Sequence, residues 1–134
     1  YLVGREKIRE FARATFALDP QHHEVDVAQS RGFGDLVAPP TFPIVIQERT
    51  LEQLLEHPGS GIDFSRVVHG DQQFTYSRPI VAGDQLIATL SVTKVQSLGG
   101  HSMVTSESVM ETPDGEHVVT ATSTLVVRGG EESA

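Results

Sequence analysis

The sequence contains no cysteine, which excludes disulfides, thiolate catalysis and zinc–cysteine sites. It has no run of about 18 apolar residues, so no membrane insertion is expected. It also lacks a stripe of lysine and arginine. The 10 Lys and Arg stand against 18 Asp and Glu, a formal charge of -8 at pH 7, so nucleic-acid phosphates and anionic membranes would be repelled. No signal-peptide pattern is visible at the start, which makes the cytoplasm the expected location. No internal repeat is present.

What remains is 134 residues, 38% hydrophobic and 21% charged, enough chain for one core. We read residues 1–129 as a single domain and residues 130–134 as a small acidic tail that frays.

The stretch from Ala38 to His57 dominates the pattern and reads as one buried helix. Pro39 and Pro40 hold its approach extended, Thr41 is an acceptable N-cap, and Pro43 fits the first turn, where its missing N–H breaks no helical bond. Pro58-Gly59 stops it. Phe42, Ile44, Val45, Ile46, Leu51, Leu54 and Leu55 cover more than one face, so the helix needs a sheet to cover it. Four strand-like runs follow: Ile62 to Tyr76, irregular near His69-Gly70; Gln85 to Gln96, with Leu86, Ala88, Leu90, Val92 and Lys94 in alternation; His101 to Thr112; and His117 to Arg128. Gly99-Gly100 and Pro113-Asp114-Gly115 link the last three as hairpins. An antiparallel sheet curled around one long helix is an α+β, hot-dog fold.

Before it, Val3 to Ala17 reads as an amphipathic helix with Arg5, Lys7, Arg9 and Arg13 outside. Its basic side is read as a solvated face, the alternative being a dock for a phosphorylated carrier or coenzyme. Residues 18 to 37 hold a proline turn, a helical patch at Val25 to Ser30 and a glycine-rich loop, and here the chemistry-capable side chains gather. His22 and His23 lie beside Asp19, Glu24 and Asp26, but adjacent histidines point different ways and no metal is expected. A histidine suits acid–base work near neutrality, and Asp19 is the close carboxylate able to orient one. His69, at a kink beside Gly70, reads as hydrogen-bonded structure before ligand. Asp71 and Asp84 each follow glycine and suit turns.

Three segments together resemble the MaoC-like dehydratase family: Arg5-Glu6-Lys7-Ile8-Arg9-Glu10-Phe11-Ala12, Leu36-Val37-Ala38-Pro39-Pro40-Thr41-Phe42, and Pro79 to Asp84. More closely, Val3 to Ala12 and Asp63 to Gln72 resemble an actinobacterial branch that includes mycobacterial (3R)-hydroxyacyl-ACP dehydratase subunits. The resemblance implies a dimerising hot-dog domain and the addition or removal of water across the 2,3-bond of an acyl thioester. The carrier is coenzyme A or acyl carrier protein, and no metal or redox cofactor is implied.

The family pattern is an Asp, then Asn-Pro two and three residues on, then a His five residues after the Asp. Counted back from Ala38 it places the family His on His22 and Pro on Pro20, but the Asn on Asp19 and the Asp on Ala17. The glycine whose N–H meets the thioester carbonyl falls on Pro40, which has none, and a helix serine falls on Glu48. Losing an oxyanion donor alone costs about a hundredfold or more in rate. By resemblance, this chain is the acyl-binding, non-catalytic partner of a catalytic hot-dog subunit, with Pro40, Thr41, Phe42 and His69 as candidate substrate contacts. One alternative is a homodimeric hydratase using His22 with Asp19, and another is a non-enzymatic acyl-thioester binder.

Overall fold

The computed structural model describes residues 1–56 and 67–128. The expected helix stop at Pro58-Gly59, the first residues of the first strand and the C-terminal tail lie outside that range.

Helix α1 spans Arg5–Ala14 and buries Ile8 and Ala12. It starts two residues later than its periodicity suggests, because the residues before Gly4 are extended. The Val3 N–H donates to the Asp84 carbonyl at 2.8 Å, and Val3 accepts from the Gly83 N–H at 2.8 Å. A backbone already paired in this way gains nothing by coiling. The end of α1 is a Schellman motif: the Phe16 N–H reaches the Arg13 carbonyl and the Ala17 N–H the Ala12 carbonyl. Phe16 occupies the left-handed position, at φ 58°, where glycine is usual and a bulky side chain costs about 1–2 kcal/mol.

A 3-10 turn at Pro20–His22 and helix α2, Val25–Ser30, follow. The central helix α3 spans Pro43–Glu56. The approach is non-helical as far as Phe42, because Val37 bridges Val81 and the Ala38 N–H donates to the Ile80 carbonyl at 2.8 Å. Thr41 serves the helix start through its carbonyl, which accepts the Ile44 N–H at 3.1 Å. Pro43 takes the first helical position as expected.

The sheet has four antiparallel strands in the order β1-β4-β3-β2. They are β1 Val67–Tyr76, β2 Ile87–Leu98, β3 His101–Glu111 and β4 His117–Val127. The two expected hairpins join β2, β3 and β4, with Gly99 and Gly100 both at positive φ, and β1 lies against β4. The irregularity foreseen near His69-Gly70 is a β-bulge between His69 and Asp71. A second bulge between Val92 and Lys94 breaks the alternation of β2: Val92 pairs with Ser106 and Val95 with Val104, so Val95 replaces Lys94 on that face, where it is nevertheless 68% exposed. With α3 laid across β2 and β4, the curled sheet around one helix is a hot-dog domain.

Phe42, Ile46 and Leu51, four and five residues apart, point into the sheet and are fully buried. Each such side chain contributes about 1.5–3 kcal/mol. Two buried clusters result, one from Ile8 through Phe42, Ile46 and Leu86 to Met110 and Val119, the other from Leu51, Val104 and Leu125. Between them runs a polar seam that the apolar pattern does not announce. Gln47 and Gln72 exchange amide hydrogen bonds at 2.8 and 2.7 Å. Thr50 Oγ1 lies 2.8 Å from Ser108 Oγ. The neighbouring Ser106 hydroxyl is buried without a partner among the described residues.

Candidate functional site

A pocket of about 540 Å³ opens where the loop after α1, the approach to α3 and the end of β1 converge, a size that suits a small-molecule site. Gln21, His22 and Phe33 come from the loop, and Val37, Ala38 and Pro40 from the approach. Tyr76, Ser77, Arg78 and Pro79 complete it. The Val37–Val81 bridge is what draws the approach against the far side of the wall.

His22 is 6% exposed, and its Nδ1 lies 2.7 Å from the Val37 carbonyl oxygen. A carbonyl can only accept, so Nδ1 carries the proton and Nε2 is the basic nitrogen of the neutral ring. Among the described residues nothing bonds Nε2. His23 is turned away, its Nε2 bonded to the Ala17 carbonyl at 2.8 Å.

Asp19 is not part of the pocket wall. Its carboxylate meets Arg31 Nη1 at 2.5 Å and accepts the Gln21 N–H at 3.3 Å as the cap of the 3-10 turn. The Arg31 guanidinium, and then that N–H, hold its carboxyl below the usual range. Ala17, at the position where the family pattern has its aspartate, offers no acid. The Asp19 carboxylate is thus bonded to arginine, and among the described residues no hydrogen bond joins it to the ring of His22, although His22 is close enough to help hold its carboxyl down.

The four candidate substrate contacts separate in space. Pro40 lines the pocket, and its carbonyl accepts the Tyr76 hydroxyl at 2.7 Å. Thr41 is exposed outside the wall. Phe42 belongs to the core, with its ring edge-on to Phe11 at 5.5 Å. His69 lies on β1, with Nε2 3.5 Å from Glu48 and Nδ1 3.4 Å from Ser123 Oγ. Among the described residues no cluster of three or more His, Asp and Glu gathers as a cation site.

Tyr76, Ser77 and Arg78 were not singled out from the sequence. The only local signal was their position before Pro79, which marks the end of a strand without saying what it faces. Burial pushes the Tyr76 hydroxyl pKa up. Arg78 is held by Asp84 through two bonds of 2.9 and 3.1 Å and by Glu116 at 3.4 Å. The Asp84 hydrogen bond is the main cause that raises its pKa further. Three of the four basic residues of α1 are likewise spoken for: Arg5 pairs with Asp35, Lys7 with Glu10 and Arg9 with Glu6, while Arg13 is exposed. That pairing fits a solvated face.

Residues 1–121 match the family described as FAS1-like, dehydratase domain region. A UPF0336 protein of Leifsonia xyli subsp. xyli is 67% identical over 131 residues, 98% of this chain and 88% of its own length. Among solved structures, the C-terminally truncated HadBC (3R-hydroxyacyl-ACP dehydratase) complex of Mycobacterium tuberculosis has a chain that superposes with TM-score 0.86 at 33% identity, covering 94% of this chain and 88% of that one. A MaoC-like dehydratase superposes with TM-score 0.90 at 31% identity, over 98% of this chain and 40% of that one.

Proposed function

Because the chain belongs to the FAS1-like dehydratase-region family, we propose that it is a subunit of a (3R)-hydroxyacyl thioester dehydratase or (R)-specific enoyl hydratase of fatty-acyl metabolism, and that it binds the acyl chain without catalysing its hydration. Hydration across an enoyl thioester needs a base for water, an acid for the α-carbon and a donor for the carbonyl oxygen on which charge builds. His22 Nε2 can accept a proton. The observation that carries the reading is the Asp19–Arg31 pair: among the described residues no carboxylate is hydrogen-bonded to His22. Pro40 adds to it, since it cannot offer a backbone N–H to the carbonyl.

A partner with an intact dyad supplies what is missing, and the likeness to a chain of a two-subunit dehydratase complex supports a heterodimer. The test is hydration of a trans-2-enoyl thioester by this chain alone, followed as loss of enoyl absorbance. We expect a flat trace, and turnover only when a catalytic hot-dog subunit is added. Turnover by the chain alone that disappears with His22→Ala would overturn the reading in favour of a self-sufficient homodimer using His22 with Asp19.

A further inference from the structure

A second histidine stands behind the pocket wall. Ser77 directly follows β1 and lines the pocket. Its N–H donates to the Val118 carbonyl at 2.8 Å, which fixes its backbone to β4. Its Oγ lies 2.5 Å from His117 Nδ1, and His117 Nε2 lies 2.7 Å from Thr120 Oγ1. Both ring nitrogens are therefore engaged and the imidazole is clamped between two hydroxyls. Two tautomers fit these distances. With the ring proton on Nε2, Ser77 donates to Nδ1. With it on Nδ1, Thr120 donates to Nε2, the Nδ1 proton goes to Ser77 Oγ, and the Ser77 proton is free for a ligand, so the second is the one in which Ser77 acts as a donor.

Two neighbouring polar groups of the wall, Arg78 and Tyr76, are already committed. The Arg78 guanidinium serves Asp84, Glu116 and the Pro79 carbonyl. The Tyr76 hydroxyl donates to Pro40; the Gln21 amide oxygen accepts from Arg31, which leaves the Gln21 amide N–H groups as the rival donor.

We propose that Ser77, held in place by His117, donates a hydrogen bond to the carbonyl oxygen of an acyl thioester in this pocket. The inference rests on the acyl-binding reading above and names the group that takes over where Pro40 has no N–H. Ser77 acts here in binding, and His117 is its positioning residue. Without a carboxylate hydrogen-bonded to His22 the contact holds the thioester and does not turn it over.

The experiment compares two ligands by calorimetry on the whole chain: an acyl-CoA thioester, and the matching S-alkyl-CoA thioether, which lacks the carbonyl. One neutral hydrogen bond corresponds to roughly a three- to tenfold preference for the thioester. Ser77→Ala should abolish that preference while leaving thioether affinity unchanged, and Ser77→Thr should restore it. His117→Phe should weaken it. Should the alanine variant not fold, Ser77→Cys, a poor donor, takes its place. Equal wild-type affinity for the two ligands, or loss of the preference in Gln21→Ala and not in Ser77→Ala, overturns the assignment of Ser77 and leaves the acyl-binding reading standing. Failure to bind either ligand overturns both.

Discussion

The imidazole of His22 and the carbonyl of Val37 are 2.7 Å apart and both buried. The contact joins the loop after α1 to the approach of α3, beside a backbone bond of 3.0 Å from the Val37 N–H to the Gln21 carbonyl. His22 therefore has a structural task besides any chemistry. His22→Ala leaves that carbonyl unpaired, and we expect a loss of about 1–3 kcal/mol, measured by urea unfolding. A loss below a few tenths would mean the bond contributes nothing to folding.

Phe16 sits where a Schellman cap asks for glycine, and its ring is 83% exposed. Replacing it removes left-handed strain without removing packing. Phe16→Gly should stabilise the chain by about 1 kcal/mol, less the extra freedom glycine gives the unfolded state. A lowered unfolding midpoint would show that the ring makes contacts of value.

Tyr76 gives an alkaline signature. Burial raises its folded-state pKa above the unfolded value, so the folded state holds this proton after the unfolded chain has released it. The contribution is fully present below about pH 10 and is lost as pH rises above that. Thermal midpoints should therefore fall above about pH 10, and Tyr76→Phe should fall less steeply. Parallel profiles for the two proteins would remove Tyr76 as the cause.

The two buried serines of β3 should respond differently. Ser108 shares a hydrogen bond with Thr50, whereas the Ser106 hydroxyl has no partner among the described residues. Ser108→Ala is expected to cost about 1 kcal/mol, and Ser106→Ala to be neutral or stabilising. Guanidinium denaturation of both variants decides it, and equal losses would refute the distinction.

The parts legible in the sequence are those whose cause is local. Gly99-Gly100 and Pro113-Asp114-Gly115 announce their turns, and Pro43 announces a first helical turn, because each acts through its own backbone angles. The phase of β2 was legible only as far as Val92, since a bulge leaves no residue type that betrays it. The polar seam of Gln47, Thr50, Ser106 and Ser108 was invisible, because every member is an ordinary surface residue until its partner is known. His22 was found through motif spacing, and its direction was not. The opposite wall was missed because Tyr76 meets Pro40 across 36 positions of sequence.

The segment from Ile80 to Leu86 receives both remote pieces of chain: Leu36 and Ala38 bond to Ala82 and Ile80, and Tyr1 and Val3 to Leu86, Gly83 and Asp84. The β2-β3-β4 hairpins close over short loops, whereas these joints must capture segments tens of residues away at greater entropic cost. On this argument the pocket should form late in folding, around a sheet that already exists. It should also be the first part to open: in native-state hydrogen exchange the amides of Ala38 and Ala82 should exchange ahead of those in β3. With nothing in the pocket, the half of the chain that forms it would be the least settled half.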